Sequence, residues 1–405
     1  MLQSIRIKNF RSFDDVTVPL GNPVIAFVGR NGVGKTNLLH AIAMTAEFAT
    51  VSVPRSLSVR PRDPMAPISL EIAFTIDGQS FNYSSTTSLA MRLSLGRRET
   101  LSRDGDSVFS RVAESLTFVG GAPGAVSVQI NPSASTIPSL LQLLPLDAPI
   151  RATLDVVNNY LSGIRYYPLS QTYQEHRFDR RGRPSLPDEG GDLSSLVERS
   201  TYDLWLADPE STQLRRSVQL RLLHLHLTND SRLDELRRLL GDDGLGVISG
   251  IFFREIKIPS PRESDPAANE TAYLIRFRPG TQLAGSSGHF PLQGLSAGTA
   301  RVLNMLTSVL CDERSCMLVE QPEDSIHPGL LEKVIDILGT YSHKTQLICT
   351  THSPTVMNCV GSDGVRLVQA QNGVTSVTPL SETQMAAAKQ YLNEQGTLAE
   401  FLDNL

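Results

Sequence analysis

One stretch of the chain combines the residue types that hold a triphosphate. Residues 29–36 read GRNGVGKT and match the pattern GxxxxGK[ST] at all of its fixed positions. Glycines let backbone N–H groups converge on phosphate oxygens, and the N-terminus of a following helix adds partial positive charge. Lys35 can reach the β- and γ-phosphates, and the Thr36 hydroxyl can ligate Mg²⁺. The pattern predicts a site for a nucleoside triphosphate with Mg²⁺; the plain alternative is a glycine-rich turn that happens to carry a lysine.

The segments on either side of this loop fit that chemistry. Val24–Val28 is an apolar run that is long enough for a buried strand and too short for a helix. From Lys35 onward, the apolar residues Leu38, Leu39 and Ile42 predict a helix with one buried face. We expect the ammonium group of Lys35 to face solvent, so that its removal would cost little stability.

Three later segments place polar residues where α/β proteins bind ligands. Ser296 stands just before a long apolar helical stretch and is suited to cap it, and a capped helix start is also an anion site. Glu320 follows a short buried strand, in the position of a carboxylate that helps to hold Mg²⁺ above a phosphate loop. His352 follows another buried strand and would open onto the crevice at the strand ends. Taken singly, each of these residues could be an ordinary cap or loop residue.

Composition and charge set the class of protein. The chain has 405 residues, of which 40% are hydrophobic and 20% charged, as in ordinary globular proteins of two or three domains. The net charge of −5 gives no overall basic field to announce nucleic acid. The four cysteines fit no zinc spacing, the chain start does not resemble a signal peptide, and no apolar run approaches membrane-spanning length. These features predict a reduced, cytoplasmic setting and no membrane partner.

Hydrophobic periodicity predicts the remaining elements. Early strands are expected at Leu2–Phe10, 16–20, Ile68–Ile76, 81–83, 91–95 and 108–112, with a hairpin turn at Asp77-Gly78. A helix is expected at 149–161, a strand at Ile164–Tyr167, a helix-rich stretch at 193–240 and strands at 247–258 and 272–277. Arginine-rich loops at 55–62 and 177–183 could be solvated loops or could contact a phosphate backbone.

Taken together, the motifs carry a family resemblance. In order along the chain they are IRIKNFRSF, GRNGVGKTN, LSAGT, a hydrophobic strand followed by EQPEDSIHP, and TTHSP. This set resembles the ABC-type ATPases of the RecF/SMC-like group, in the compact branch related to the ATPase part of OLD-family proteins. Transporter ATPases are less similar, because they usually carry LSGGQ and DEPTxxLD.

The resemblance implies an α/β fold: an ABC-type P-loop ATPase head with a mixed sheet, an antiparallel β part and a helical insertion. It implies ATP and Mg²⁺ as cofactors and a head-to-head homodimer, or a higher homo-oligomer, with ATP at the interface. The expected domains are a discontinuous nucleotide-binding core at 1–48 and 290–381, an antiparallel β part at 49–135, a helical insertion with returning strands at 136–289 and a C-terminal helical tail at 382–405.

The resemblance also assigns roles to residues. Thr36 and Glu320 would hold Mg²⁺, and His352 takes the switch-histidine position. Ser296 and Gly298 would cap the γ-phosphate from the opposite subunit. Arg11 would lie near the nucleotide, and Gln171 is a weak candidate for the mobile linking glutamine. Contacts to the nucleotide within one subunit would come from Gly29, Asn31, Gly32, Gly34, Lys35, Thr36 and Asn37.

One departure from the family pattern affects catalysis. After Glu320, at the place where the family usually has the glutamate that acts as general base, this chain has Gln321. A glutamine can orient water but cannot accept its proton, and loss of a general base costs about 10²–10⁴-fold in rate. Hydrolysis is therefore expected to be slow, or Glu323 or His352 takes over as base.

The sequence leaves three functions open. The first is an ATPase switch without its own nucleic-acid site, gating a separate effector such as a nuclease in antiviral defence. The second is a DNA-repair-type ATPase that clamps DNA directly. The third, a transporter ATPase subunit, is disfavoured by the motif variants.

Overall fold

The computed structural model describes residues 1–51, 60–87, 97–119, 125–131, 134–167, 218–258, 270–280, 288–311, 314–342 and 344–393. The predicted strand at 91–95, Gln171 and the loop 177–183 lie outside the described residues, as does most of the loop 55–62. The chain divides into two compact units: Met1–Leu169, Glu313–Asp324 and Ile335–Leu405 form the first, and Ser170–Asp312 with Ser325–Val334 form the second.

The first unit contains most of the described strands. In chain order its elements are β1 (Leu2–Phe10), β2 (Phe13–Pro19), β3 (Val24–Val28), α1 (Lys35–Thr50), β4 (Ile68–Ile76), β5 (Gln79–Thr87), β6 (Arg98–Arg103), β7 (Asp106–Val112), β8 (Ser115–Val119), β9 (Ala125–Gln129), α2 (Thr136–Leu143), α3 (Pro149–Ser162) and β10 (Ile164–Tyr167).

The second unit follows, and the chain then returns to the first. Its described elements are α4 (Val218–Leu227), α5 (Arg232–Leu240), β11 (Ile248–Ile258), β12 (Glu270–Pro279) and α6 (Ala297–Cys311). The last segment carries β13 (Cys316–Glu320), α7 (Pro328–Tyr341), β14 (Gln346–Thr351), α8 (Pro354–Val360), β15 (Val365–Gln371), β16 (Val374–Pro379) and α9 (Glu382–Asn393). The part of α7 up to Val334 still belongs to the second unit.

Two sheets organise the first unit. An antiparallel sheet has the order β2-β1-β4-β5-β6-β7-β8-β9, and a mixed sheet has the order β10-β13-β14-β3-β15-β16. In the mixed sheet, β10, β13, β14, β3 and β15 run parallel, and β16 is antiparallel to β15. The interior strand β14 is buried at every residue, as are the last four residues of β3 and the first four of β13, which explains their continuous apolar runs.

The first two strands lie in the antiparallel sheet, where β1 pairs with β2 and β4. Gln346 on β14 connects this sheet to the mixed one: its amide group donates to Leu2 O and Leu20 O and accepts from the Leu2 N–H. The elements α2, α3 and β10 lie in the first unit. The four expected domains and their limits stay a prediction.

Strand order brings the motif residues to one edge of the mixed sheet. The loop after β3 carries the phosphate-binding pattern, Glu320 ends β13, and His352 follows β14. These strands are parallel neighbours, so their carboxyl ends meet at the same edge, where α/β sheets bind ligands. The α1 helix leaves this edge with Leu38, Leu39 and Ile42 fully buried, as their spacing predicted.

Candidate nucleotide-binding site

The loop between β3 and α1 needs its glycines for steric reasons. A Cβ on Gly29 would lie 2.1 Å from Val368 O. Gly32 and Gly34 adopt left-handed backbone with φ of 81° and 109°, and a Cβ on Gly34 would meet Thr375 Oγ1 at 2.6 Å. A side chain at Gly29 or Gly34 would collide with these neighbours. At Gly32 it would meet no other atom but would strain the left-handed backbone, which glycine adopts freely.

The start of α1 is suited to an anion. Its first turn contains no acidic residue, so the partial positive charge of the helix end is not neutralised there. Asn31 and Gly32 are exposed, and Thr36 and Asn37 are half-buried. A phosphate group fits this cradle of glycine backbone and helix N-terminus.

Lys35 does not face solvent, and this part of the prediction was wrong. The residue is 6% exposed. Its ammonium group donates to Gly29 O at 2.6 Å and Arg30 O at 2.9 Å, and lies 2.9 Å from His352 Nε2. The side chain therefore folds back over its own loop. Burial lowers its pKa to about 8, although the negative charge of Glu323 opposes that shift.

His352 is held in a defined state beside this lysine. Because a lysine ammonium can only donate, Nε2 of His352 is the acceptor and the ring proton of the neutral imidazole lies on Nδ1. Burial, and then the charge of Lys35, lower the pKa of His352 and keep the ring neutral. The contact between Lys35 and His352 thus joins the phosphate loop to the segment that follows β14.

Thr36 and Glu320 meet at the other side of Lys35. The Thr36 hydroxyl donates to Glu320 Oε1 at 2.5 Å, although the two residues are 284 positions apart in the chain. A hydroxyl and a carboxylate are the hard oxygen ligands that Mg²⁺ prefers, so this pair fits the metal predicted from the sequence.

Glu320 also belongs to a hydrogen-bond network with residues of β10 and α1 that the sequence motifs did not indicate. Tyr166, near the end of β10, donates its hydroxyl to Glu320 Oε2 at 2.9 Å. His40, on α1, places Nε2 at 3.0 Å from the Tyr166 hydroxyl, and its Nδ1 accepts from Arg11. Two signals were available: His40 follows Thr36 by one helical turn, and Tyr166 lies near a strand end in a strand predicted correctly.

Arg11 lies in the turn between β1 and β2, and its side chain contacts α1. Its guanidinium donates to Asn37 Oδ1 at 2.9 Å as well as to His40. The Asn37 amide in turn donates to Ser12 Oγ at 3.1 Å. The turn between β1 and β2 is therefore tied to the first turns of the helix, and direct contact of Arg11 with a nucleotide stays a prediction.

Gln321 and Glu323 occupy different environments after β13. Gln321 has a left-handed backbone, with φ of 43°, and its N–H donates to Thr350 O at 3.0 Å. Glu323 Oε1 accepts from the Thr351 hydroxyl at 2.9 Å and from the His352 N–H at 2.8 Å. Glu323 Oε2 is buried without a hydrogen-bond partner. The Glu323 carboxylate thus holds the backbone that carries His352.

Ser296 and Gly298 lie in the second unit, at the start of α6. The Ser296 side chain is exposed, and its Oγ accepts from the Thr299 N–H at 3.2 Å, which confirms the predicted N-cap. A Cβ on Gly298 would lie 2.2 Å from Ser325 O, so glycine is required there by close packing. Any contact of these two residues with phosphate stays a prediction.

The described residues contain no helix that is both long and apolar enough to cross a bilayer.

Comparison with known proteins agrees with this geometry. Residues 24–358 match the family described as "AAA domain, putative AbiEii toxin, Type IV TA system". An OLD nuclease from Thermus scotoductus (strain ATCC 700910 / SA-01) is 22% identical over 387 residues, which cover 91% of this chain and 62% of that protein. The chain thus spans less than two thirds of the length of that relative.

A solved structure shares the fold. The SMC head bound to the C-terminal winged-helix domain of ScpA aligns with a TM-score of 0.51 at 15% identity, covering 95% of this chain and 99% of that one. A likeness at this identity shows the fold, which is that of a P-loop ATPase head. With the family match over most of its length, the chain belongs to this AAA-domain family and is an ABC-like ATPase of the RecF/SMC/OLD type.

Proposed function

We propose that the protein binds ATP with Mg²⁺ at the loop 29–36 and hydrolyses it slowly, acting as a nucleotide-dependent switch. The observation that carries this proposal is the contact of Thr36 with Glu320, which joins the phosphate loop to the end of β13. Lys35 binds the β- and γ-phosphates, while Thr36 and Glu320 hold the metal. When bound, Mg²⁺ neutralises charge that develops on the phosphates.

Slow hydrolysis follows from the side chains at the end of β13. Gln321 cannot accept a proton, so it can orient an attacking water without activating it. Glu323 is a poor substitute as base, because one oxygen is bonded to the His352 backbone and the other is buried. His352 is neutral and could accept a proton, but its Nε2 is already bonded to Lys35. A steady-state ATPase assay tests this; a turnover number typical of fast ATPases would contradict it.

ATP binding is further proposed to join two heads. Ser296 stands exposed at the start of α6, whose first turn contains no acidic residue, so this helix end can accept a γ-phosphate from a second subunit. Sedimentation velocity with a non-hydrolysable ATP analogue and Mg²⁺ should give a larger species than protein alone. Ser296→Arg should prevent that increase without changing the nucleotide affinity of the single subunit, measured at a concentration where wild type is monomeric, because an arginine blocks the approach of the partner. An unchanged sedimentation coefficient in wild type, or an increase that Ser296→Arg leaves intact, would contradict the proposal.

The switch is proposed to control a separate effector in antiviral defence. The similar OLD protein is a nuclease by name, and this chain spans only 62% of it. By analogy with that relative, the activity that this ATPase would control is proposed to be a nuclease carried by a separate chain. A nuclease reading frame beside this gene, and co-purification of its product in an ATP-dependent way, are the expected findings. A neighbourhood without any effector gene would count against this proposal.

A second candidate function, direct binding of DNA, is favoured by one surface of the second unit. Phe252, Arg254, Arg276 and Arg278 share a face of the β11–β12 ladder, because Phe252 is paired with Arg276 and side chains alternate along each strand. Phe252 is 38% exposed and Arg278 lies over its ring at 4.8 Å. Within the described part of the chain, none of these three guanidinium groups forms an ion pair. Unpaired arginines suit phosphate contacts.

A salt series tests this second function. Affinity for a DNA duplex should fall steeply with salt, and changing all three arginines to glutamine should reduce the slope by up to about 3 in log–log form, at about 0.9 per phosphate contact. The control is Arg237→Gln with Arg238→Gln, since those arginines are already paired with Asp234 and Glu235. Equal slopes in wild type and the triple variant would remove this face as a DNA site.

A further inference from the structure

Four side chains between α1, β10 and β13 form a chain of hydrogen bonds with a fixed direction. An arginine guanidinium can only donate, so Arg11 donates to His40 Nδ1 and that nitrogen carries no proton. The remaining ring proton must lie on Nε2, which donates to the Tyr166 hydroxyl at 3.0 Å. Tyr166 then has its own proton free to donate to Glu320 Oε2 at 2.9 Å. Every proton position follows from the cation at one end and the carboxylate at the other.

We propose that Arg11, His40 and Tyr166 act as positioning residues that fix the Glu320 carboxylate for metal binding. The inference rests on the function proposed above, because it assigns Glu320 to Mg²⁺. The Tyr166 bond is made to Oε2, whereas the contact with Thr36 is made to Oε1. The two carboxylate oxygens thus have separate partners, and Tyr166 can keep its bond while the other side of the carboxylate binds metal.

The surroundings of the chain keep it in this one state. Burial and the charge of Arg11 lower the pKa of His40 to about 4, so the ring stays neutral. The Tyr166 hydroxyl faces a carboxylate oxygen, which can only accept, so the hydroxyl is the donor in that bond. Arg11 is itself held by Asn37 Oδ1. Hydrogen bonds that run in series between opposite charges reinforce one another in a partly buried site.

A purely structural role for Tyr166 makes a different prediction from a positioning role. If Tyr166 only fills space, Tyr166→Phe leaves metal binding unchanged. If it positions Glu320, Tyr166→Phe should weaken the gain in nucleotide affinity that Mg²⁺ provides by about 10–100-fold, the usual cost of losing an outer partner of a metal ligand. Nucleotide affinity without Mg²⁺ should stay the same in both cases.

Tyr160→Phe is the matched control. Tyr160 lies on α3 in the same unit, stacks on Phe74 at 4.9 Å, and has a buried hydroxyl without a hydrogen-bond partner. Removing that hydroxyl deletes the same atom from a similar setting without breaking a bond. Tyr160→Phe should therefore bind a fluorescent ATP analogue like wild type, with and without Mg²⁺.

His40 variants test whether the chain acts as a unit. His40→Leu removes both ring nitrogens and should cause the same 10–100-fold loss as Tyr166→Phe, and the double variant should lose no more than either alone. His40→Gln keeps one acceptor and one donor, so it should restore most of the Mg²⁺ effect. The proposal would be overturned if Tyr166→Phe lost the Mg²⁺-dependent gain in affinity while His40→Leu kept it. It would also be overturned if Tyr166→Phe behaved like wild type.

A measurement without nucleotide separates this inference from the proposed function. Nitrogen-15 NMR of the ring nitrogens in the full chain at neutral pH should show His40 as the neutral form protonated on Nε2. In Tyr166→Phe the Nε2 resonance should shift, since its acceptor is gone. A His40 ring protonated on Nδ1 would overturn the inference even if ATP binds. Conversely, failure of wild type to bind ATP, with the His40 result as expected, would contradict the proposed function alone.

Discussion

Two groups of polar and charged side chains in the first unit differ in how deeply they are buried. In the antiparallel sheet, Glu99 and Arg111 are fully buried and Arg97 is 6% exposed. Glu99 Oε1 pairs with Arg97 and Arg111, and its Oε2 accepts from Tyr83. At the edge of the mixed sheet, Thr36, Glu320 and His352 are half-buried. The first group is closed off by protein, and the second is open on one side.

The difference shows how the same kinds of charge serve different purposes. Arg111 gives its donors to Ala113 O, Ala134 O, Thr136 and Glu99, which holds two segments against the sheet. A buried ion pair whose groups are hydrogen-bonded within the protein adds rigidity but leaves no donor or acceptor for a ligand. The site residues are only half-buried, and they lie at the edge where the parallel strands end. We expect substitutions in the first group to change stability and those in the second to change binding.

Lys35→Ala is expected to give the most complete loss on the binding side. Without the ammonium group, the proposed lysine contact with the β- and γ-phosphates is lost, so nucleotide binding by calorimetry should become undetectable. Because Lys35 also holds Gly29 O and Arg30 O, the free energy of unfolding should fall by about 1–3 kcal/mol. Lys344→Ala, at an exposed lysine, is the control and should change neither quantity. Normal nucleotide affinity in Lys35→Ala would remove the assignment of the phosphate loop.

The behaviour of Lys35 illustrates what the sequence could and could not predict. Periodicity and length located β1, β3, β4 and β10 with the observed bounds, because their burial pattern is written in neighbouring residues. The motif order located Thr36, Glu320 and His352 at one sheet edge. The direction of the Lys35 side chain depends on the carbonyl groups of Gly29 and Arg30. These groups come within reach of the ammonium only in the folded loop.

Other features could not be predicted because they depend on contacts between residues that are far apart in the sequence. Tyr166 reaches Glu320 only because β10 lies beside β13, and nothing near Tyr166 in the chain encodes that neighbour. Glu99 and Arg111 are buried by contacts with distant segments: Arg111 donates to Thr136 at the start of α2. Arg97, which pairs with Glu99, donates to Phe48 O near the end of α1. The predicted strand at 16–20 is instead β2 at Phe13–Pro19, because the turn after Phe10 is tight enough for Phe10 to pair with Phe13.

Glu99→Gln tests the closed side of the comparison. Glutamine keeps the shape but removes the carboxylate charge that pairs with the buried Arg97 and Arg111. The free energy of unfolding, measured by urea titration, should therefore fall by about 3–5 kcal/mol. ATP affinity, measured at a temperature where the variant is folded, should equal that of wild type. Glu71→Gln is the control, since Glu71 lies on β4 of the same antiparallel sheet in a partly exposed position. A loss of ATP affinity in folded Glu99→Gln would show that the two groups are coupled.

Gln321→Glu sharpens the open side by restoring a proton acceptor where the attacking water is expected. Single-turnover ATP hydrolysis should become faster by about tenfold to a thousandfold, which corresponds to about 1.4–4 kcal/mol of barrier. Glu323→Gln is the companion variant. It should disturb the backbone at His352, which Glu323 holds, and slow hydrolysis only slightly. If Gln321→Glu leaves the rate unchanged while Glu323→Gln abolishes it, Glu323 is the base and Gln321 is structural.

The central claim is that Thr36 and Glu320 form a Mg²⁺ site beside the phosphate loop. The most direct test is calorimetric binding of a non-hydrolysable ATP analogue, with and without Mg²⁺, to wild type and to Glu320→Gln. We predict that Mg²⁺ tightens binding to wild type, that this gain is lost in Glu320→Gln, and that affinity without Mg²⁺ is the same in both proteins. An equal Mg²⁺ effect in the two proteins, or no nucleotide binding by wild type, would contradict the account.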